Sequence, residues 1–557
     1  MEQTKREQYH TRWGLLKSER SSWFMHWQEL SNYCLPRNGR FFDQDRNKGY
    51  KRHNSIYDNT GIKGANVLAA GMMAGMTSPA RPWFRLATQD PDMMKSGPTR
   101  TWLADVTTKM QDVFQRSNTY RALHQIYLEL GVFGTAASVV QEDYKEVVRH
   151  YPLTIGEYAI ATDFRGQVCT MYREFQKTVG ELVKEFGYKN CSNPTRQLYD
   201  KGSLDVWITI IHAIEPNDDR NIILLDNKNK KWSSCYFELN SEPNTFLRES
   251  GYDHFPVLAP RWATAGSDIY GSSPAMEALG DVKQLQHEQL RKAQAIDFMT
   301  KPPLQVPTNQ KNRDVENMPS GITYYDATSS QGGIKTLFDV RLDLSHLLND
   351  IQDVRGRINS AFYADLFLLL ANDNTGRMTA TEVAERHEEK MLMLGPVLER
   401  LNDELLNPLI EMTFDRMLKG GLIPPPPPEL QGQEINVEFV SMLAQAQKAI
   451  GTNSIDRFVV NLGTIASMKP EILDKFNADE WSEIYSDMLG VDPRLIVDDK
   501  NVAMIRQQRA QAQQQAQAAQ QHEAMASMAQ KLGTVDTGGG SNAAQDIMSN
   551  LQGYTGA

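Results

Sequence analysis

Cysteine is scarce: Cys34, Cys169, Cys191 and Cys235 are the four in 557 residues, with no CxxC spacing and no nearby histidine pair. That pattern excludes a zinc-ribbon or finger site and a disulfide framework, and it reads as four free thiols. Long apolar runs are also missing. The nearest, around residues 67–76, is short and rich in Gly and Ala, so no membrane-spanning helix is expected. The opening MEQTKREQYH is polar and lacks the apolar core of a secretory signal, which points to a chain that folds and stays in a reducing cytoplasm. Positive charge is in deficit, with 59 Lys and Arg against 69 Asp and Glu, a net charge of -10. A surface that grips nucleic acid over a broad footprint needs clustered cations, and this balance argues against one. It leaves room for a surface past which nucleic acid slides.

Motifs of chemistry are absent as well. There is no GxxxxGK[ST] loop to cradle phosphates, which argues against an ATP-driven motor, and no GxSxG or Gly-rich dinucleotide loop. His387-Glu388-Glu389 lacks the second histidine four residues on that a zinc site would need, so it reads as a helix surface. Asn372, Asp373 and Asn374 begin like a calcium loop but the terminal glutamate is missing. No catalytic residue, cofactor or metal is expected, and the paired carboxylates on helices read as solvated faces.

What the chain does have is amphipathic helix, and its 557 residues are enough for two to four domains. Leu344, Leu347, Leu348, Ile351, Val354, Ile358 and Phe362 recur at three-and-four spacing, with Ser345, Asn349, Gln352, Asp353 and Ser360 opposite. A polar break, ANDNTGR at residues 371–377, follows. Thr379 and Glu382 then have capping-box spacing, and Met391, Leu394, Leu398, Leu401, Leu405 and Met412 carry a helix to the Gly420-Gly421 stop. About 40 residues of helix make a rod of roughly 60 Å, which needs partners along its length.

Before that stretch, aromatic residues at helical spacing (Trp13, Leu16, Trp23, Trp27, Leu30) predict a first helix ending near Pro36. Residues 37–53 form a loop rich in Arg and Lys, either simply solvated or a contact for an acidic partner or phosphate. Gly71 and Gly75 form a GxxxG in a small-residue helix, the mark of a closely packed neighbour. Two more helices are expected at about 98–116 and 120–138. From about 139 to 260 the texture is β, in segments such as YAIATDF, VWITIIHAI and KWSSCYFEL, interrupted by one short helix at KTVGELVKEFG. Ser273 is the expected N-cap and Pro274 the first turn of a helix striped by Ala275, Leu279, Val282, Leu290 and Ala293. An insertion of about 40 residues with strand-like LQVP and ITYYDA separates it from the opening stripe, suggesting a neck with a tip. Beyond a polyproline spacer at 424–428, INVEFVS reads as strand, and short helices follow, one with the capping pair Asn477 and Glu480. Residues 502–532 are almost all Gln and Ala with scattered Met, a composition that favours helix and suits tight packing of parallel copies or, in isolation, a disordered tail.

The segment HFPVLAPRWATAGSDIYGSSPAMEALGDVKQLQ (254–286), with LAAGMMAGMTSPARPWFRL and RMTATEV, resembles the portal, or head-to-tail connecting, proteins of short-tailed bacteriophages. The likeness in order of elements runs from about residue 5 to 530. It implies an α+β, mainly α, portal fold assembling as a ring of twelve copies at one capsid vertex, through which double-stranded DNA is packaged and ejected. In that fold residues 1–270 would be the wing, joined by the long helix 378–424. Residues 271–300 and 339–370 would be the stem helices, packing through Leu279, Val282, Leu290, Leu344, Leu347, Ile351 and Ile358. Residues 301–338 would be the clip, meeting the terminase large subunit and then the tail adaptor through Lys311, Arg313, Tyr324, Tyr325 and Lys335. The tunnel loop, 371–377, would present Asn372, Asp373, Asn374, Thr375, Gly376 and Arg377 to the passing duplex. Residues 425–500 would be the crown, 501–532 a helical barrel and 533–557 a flexible tail. Major capsid, scaffolding and internal core proteins complete the implied partners, in a virion assembled in the host cytoplasm. The competing reading is a helical scaffold or adaptor of a virion without a channel.

Overall fold

The structure is a computed structural model. It describes residues 4–41, 56–90, 93, 96–224, 226–239, 241–242, 245–300, 304–305, 335–336, 345–371, 394–430, 432–433, 435–441, 455, 458–466, 469–489, 497 and 499–533. Two compact units emerge: residues 1–85, 106–424 and 437–476 form the first, and 86–105, 425–436 and 477–557 the second.

In the first unit, α1 (Lys5–Cys34) opens on a capping box. The Thr4 hydroxyl accepts from the Glu7 amide and the Glu7 carboxylate from the Thr4 amide, satisfying two otherwise orphaned donors. Of its expected apolar stripe Trp13, Leu16, Trp27 and Leu30 are buried and Trp23 half-buried. Next come α2 (Thr60–Met76), the strand β1 (Phe84–Thr88), α3 (Gly97–Arg116) and α4 (Thr119–Phe133), the chain belonging to the second unit between residues 86 and 105. The last is shorter than the spacing suggests, because Gly134 adopts a left-handed φ of 73° and closes it.

A hairpin of β2 (Ala137–Asp143) and β3 (Val147–Leu153) follows, then β4 (Tyr158–Thr162) and β5 (Val168–Thr178). Two short helices come next, α5 (Val179–Phe186) and α6 (Asn193–Asp200), where the sequence suggested one; the second is short and capped by Ser192 with Pro194 in its first turn. The strands β6 (Trp207–Pro216), β7 (Trp232–Glu238), β8 (Arg248–Tyr252) and β9 (Val257–Leu258) complete the β region. Strands β4 to β8 form an antiparallel meander in chain order, and β3-β2-β9 a smaller antiparallel sheet. Both faces of the meander are covered. Tyr9, Trp13 and Leu16 of α1 pack on Tyr172, Ile211 and Phe237, while Leu182 and Phe186 of α5 pack on Ile210 and Tyr236. Neighbouring residues thus point to opposite cores, which is why VWITIIHAI is apolar without alternation.

The chain then enters α7 (Pro274–Thr300), a two-residue ladder of β10 (Leu304–Gln305) with β11 (Lys335–Thr336), α8 (Ser345–Ala361) and α9 (Ala364–Ala371). Residues 394–401 are helical, and after a π-turn the helix continues as α10 (Asn407–Lys419). The strand β12 (Ile435–Phe439) follows.

In the second unit, α11 (Ala478–Leu489) is capped as its sequence suggests, the Glu480 amide donating to the Asn477 side chain at 3.3 Å. The Gln/Ala stretch is a helix, α12 (Asp499–Gly533). Arg506 from it donates both terminal nitrogens to Asp479 at 2.7 Å.

Candidate functional site

The geometry that bears on function is concentrated where the α7–α8 hairpin leaves the body of the first unit. The YGSSP turn fixes the exit. Ser273 accepts from the Met276 amide at 3.1 Å as N-cap and donates to the Val132 carbonyl at 2.7 Å. Gly271 crosses Gly134 so closely that a Cβ on Gly271 would lie 2.4 Å from the Gly134 carbonyl oxygen. No side chain fits there. The Trp262 amide donates to the Gly134 carbonyl and the Gly271 amide to the Thr135 hydroxyl, both at 2.9 Å.

Arg261, just upstream, is almost wholly buried and meets Glu404 in a two-pronged pair. Glu404 lies in the π-turn of residues 402–406. Pro408 has no amide hydrogen to return to the residue 404 carbonyl, so the regular ladder cannot pass through this point. The Asn407 amide bonds back to the Asn402 carbonyl instead. The long helix expected to run unbroken therefore carries a π-turn, and that extra residue lets Leu401, Leu405, Leu406, Leu409 and Ile410 all bury.

A polar node clamps the hairpin to the body. Gln286 of α7 accepts from the Tyr57 and Asp58 amides at 2.6 and 2.8 Å and donates to the Asp58 carbonyl at 2.9 Å. The Asp58 carboxylate takes Arg355 of α8 at 2.6 Å, Gln289 of α7 at 3.1 Å and the Thr60 amide at 2.8 Å. Burial pushes this carboxyl up, but the Thr60 and Arg355 hydrogen bonds outweigh it and hold it below the usual carboxylate range. Sequence reading missed these residues, since the partners lie 228 and 297 residues from Asp58.

Of the expected stem-packing residues, Leu279, Val282, Ile351 and Ile358 are buried, and Leu290 and Leu347 half-buried. Leu348 is 42% exposed, against its place in the expected stripe. Leu344 lies outside the described residues. The small-residue helix α2 receives these side chains: Gly61 faces Val282, Gly64 faces Phe362 and Gly71 faces Phe367. The single helix expected over 339–370 is broken, because Tyr363 stands at φ 53° between α8 and α9. No glycine or proline marks the break, and Tyr363 instead lies beside Trp262, ring centroids 6.1 Å apart.

Asn372, Asp373, Asn374, Thr375, Gly376 and Arg377 lie outside the described residues, as do Lys311, Arg313, Tyr324, Tyr325, Met391 and the Thr379/Glu382 capping pair. Lys335 falls in β11, opposite Gln305. Among the described residues no group of three or more His, Cys, Asp or Glu could hold a metal, and no helix is long and apolar enough to cross a membrane.

One buried acid sits apart from the hairpin. Glu129 of α4 accepts from Asn38, from the Thr154 hydroxyl and from the Ile155 amide. Burial pushes its carboxyl up to about 7 against those bonds.

A family model for the bacteriophage head to tail connecting protein matches residues 6–497. The chain is 60% identical over 554 residues to a probable portal protein of Bordetella phage BPP-1, covering all of both chains. It is 45% identical over 538 residues to a portal protein of Salmonella phage epsilon15, covering 96% of this chain and 97% of that one. A chain from the virion of a native gene transfer agent particle aligns at a TM-score of 0.35 and 10% identity, covering 77% of this chain and 89% of that one.

Proposed function

The chain belongs to the bacteriophage head to tail connecting protein family, and from that premise we propose that it forms a ring-shaped channel at one capsid vertex for passage of double-stranded DNA. The observation that carries the reading is the hairpin's outer half. Ile296, Phe298 and Met299 of α7 and Leu348 of α8 are each more than 40% exposed in a single chain. Apolar side chains on two helices that project together need neighbours, and copies arranged around an axis supply them.

On this reading α7 and α8 are the stem, residues 301–338 the clip for the terminase large subunit and later the tail adaptor, and 371–377 a loop facing the DNA. The wing is built from 1–270 with the helix 378–424. Residues 425–500 are the crown, and α12 stacks with its copies as a barrel toward the head interior. Capsid, scaffolding and internal core proteins surround the ring in the virion. The role is structural, with the energy for packaging supplied by the partner.

Native mass measurement and axial images of the purified protein test this. Closed rings, twelve copies each, are expected. A monomer stable under all conditions, or rods and filaments in place of annuli, overturns the proposal and favours a scaffold or adaptor.

A further inference from the structure

The α7–α8 hairpin contains two acids that face each other. Arg357 of α8 pairs with Asp281 of α7 at 3.3 Å, which sets the antiparallel register. Seven residues further along α7, and seven back along α8, that register places Glu288 opposite Asp350. Seven residues are close to two full turns, so this second pair falls on the same seam.

Glu288 is only 8% exposed, and its Oε1 accepts from the Gln284 amide at 2.6 Å. Its Oε2 is buried and has no hydrogen-bond donor among the described residues. A buried carboxylate oxygen without a donor is costly, and a second carboxylate facing it makes matters worse. One proton resolves both problems, because a carboxylic acid donates where a carboxylate only accepts.

We propose that Glu288 and Asp350 share one proton in an O–H···O bond that clasps the two helices of the hairpin, and that the clasp is released when the proton leaves to solvent. Of the other charged groups packed nearby, Arg357 also acts on Glu288 and favours its charged form, against the proton. Arg357 is shared between Asp281 and Asp353, Arg355 is held by Asp58, and Lys283 is paired with Glu29 of α1. On its own helix, His287 accepts from Arg291. Burial, opposed by the Gln284 bond and by Arg357 and reinforced by Asp350, moves the Glu288 carboxyl above the usual carboxylate range. Because the folded value is raised, the clasp is complete below the ordinary carboxylate pKa and is lost as pH rises through the raised one. Both acids belong to one chain, so the clasp holds whether or not a ring forms.

The test uses the full chain, with hydrogen exchange of peptides spanning 284–292 and 347–354 read at about pH 5 and about pH 8 and corrected for intrinsic rate. In the unaltered protein, exchange in both segments should rise by roughly tenfold at the higher pH, as expected for a local opening equilibrium. Glu288→Gln supplies a permanent donor to Asp350, and Asp350→Asn a permanent donor to Glu288. Each should abolish the pH-dependent rise and lift the melting temperature at about pH 8 by roughly 1–3 °C. A pH-independent exchange rate in the unaltered protein overturns the proposal. So does an undiminished pH response in both variants.

Discussion

Arg261 and Glu404 are joined across 143 residues of chain by three bonds: the Arg261 backbone amide and Nε reach one carboxylate oxygen at 2.9 and 3.2 Å, and Nη2 reaches the other at 2.6 Å. The same Nη2 also donates to the Gly166 carbonyl at 2.6 Å. One side chain thus ties the loop before α7, the tip between β4 and β5, and the π-turn.

Removing the acid strands a buried guanidinium. Glu404→Ala is expected to cost about 3–5 kcal/mol, seen as an earlier midpoint in denaturant unfolding. Glu404→Gln keeps the shape and should recover part of that loss. Equal stability of Glu404→Ala and the unaltered protein would sink the assignment.

Gly271 and Gly280 make a matched pair of tests. A Cβ on Gly271 would meet the Gly134 backbone, whereas at Gly280 on α7 it would meet nothing within 4 Å. Gly271→Ala should therefore fail to fold or lose several kcal/mol, on the order of 3 or more, as overpacking against fixed backbone does. Gly280→Ala should gain roughly 0.5–1 kcal/mol from helix propensity. Thermal melts of both variants compare them directly.

Two buried groups bend the stability curve in opposite directions. Glu129 has its folded pKa raised to about 7 from 4.5, so its contribution is full below 4.5 and lost as pH rises through 7. His150 is buried against the Thr119 hydroxyl at 3.0 Å, and burial followed by Arg416 lowers it to about 3 from 6.5. Its contribution is full above 6.5 and lost as pH falls through 3. Glu129→Gln should gain on the unaltered protein by up to about 3 kcal/mol as pH rises from 4.5 to 7, and His150→Gln by up to about 5 kcal/mol as pH falls from 6.5 to 3. Urea titrations across that range check both slopes.

Asp58 should be the residue that holds the hairpin base. Asp58→Ala removes the acceptor shared by Arg355, Gln289 and Thr60, at an expected cost of about 3 kcal/mol. Hydrogen exchange should quicken in 284–290 and 351–358 before the meander is affected. Uniform destabilisation of the whole unit would mean the node has no local role.

For the ring proposal, duplex DNA should bind weakly, with a shallow dependence on salt, because a net charge of -10 leaves few cations to displace phosphate counterions. A steep slope in filter or anisotropy titrations would reveal a basic lining. Deleting residues 372–376 should leave assembly intact and impair DNA packaging or retention; loss of assembly would make that loop architectural.

Much of the local structure was legible. Ser273, Pro274 and Asn477 announce helix starts, and the Ile351, Val354, Ile358 stripe faces the core. A β texture between 139 and 260 was equally plain. What stayed hidden depends on distant partners. The left-handed Tyr363 interrupts a stretch that by propensity reads as continuous helix, and the ring it lies beside is the distant Trp262. Pro408 stands inside the stretch expected to be one unbroken helix, and Arg261 is the partner that holds Glu404 in the turn. Leu348 sits on the apolar stripe by spacing and is nonetheless 42% exposed, which local periodicity cannot foretell.

The Tyr363 break also has a mechanical meaning. On one side of it Phe362 sits against Gly64, and on the other Phe367 sits against Gly71, both in α2. An elbow whose two arms are keyed into the same rigid bar has little freedom to flex. If the ring proposal holds, thrust along the hairpin would pass to α2 as shear along its length, and the joint at Tyr363 would carry load without acting as a pivot.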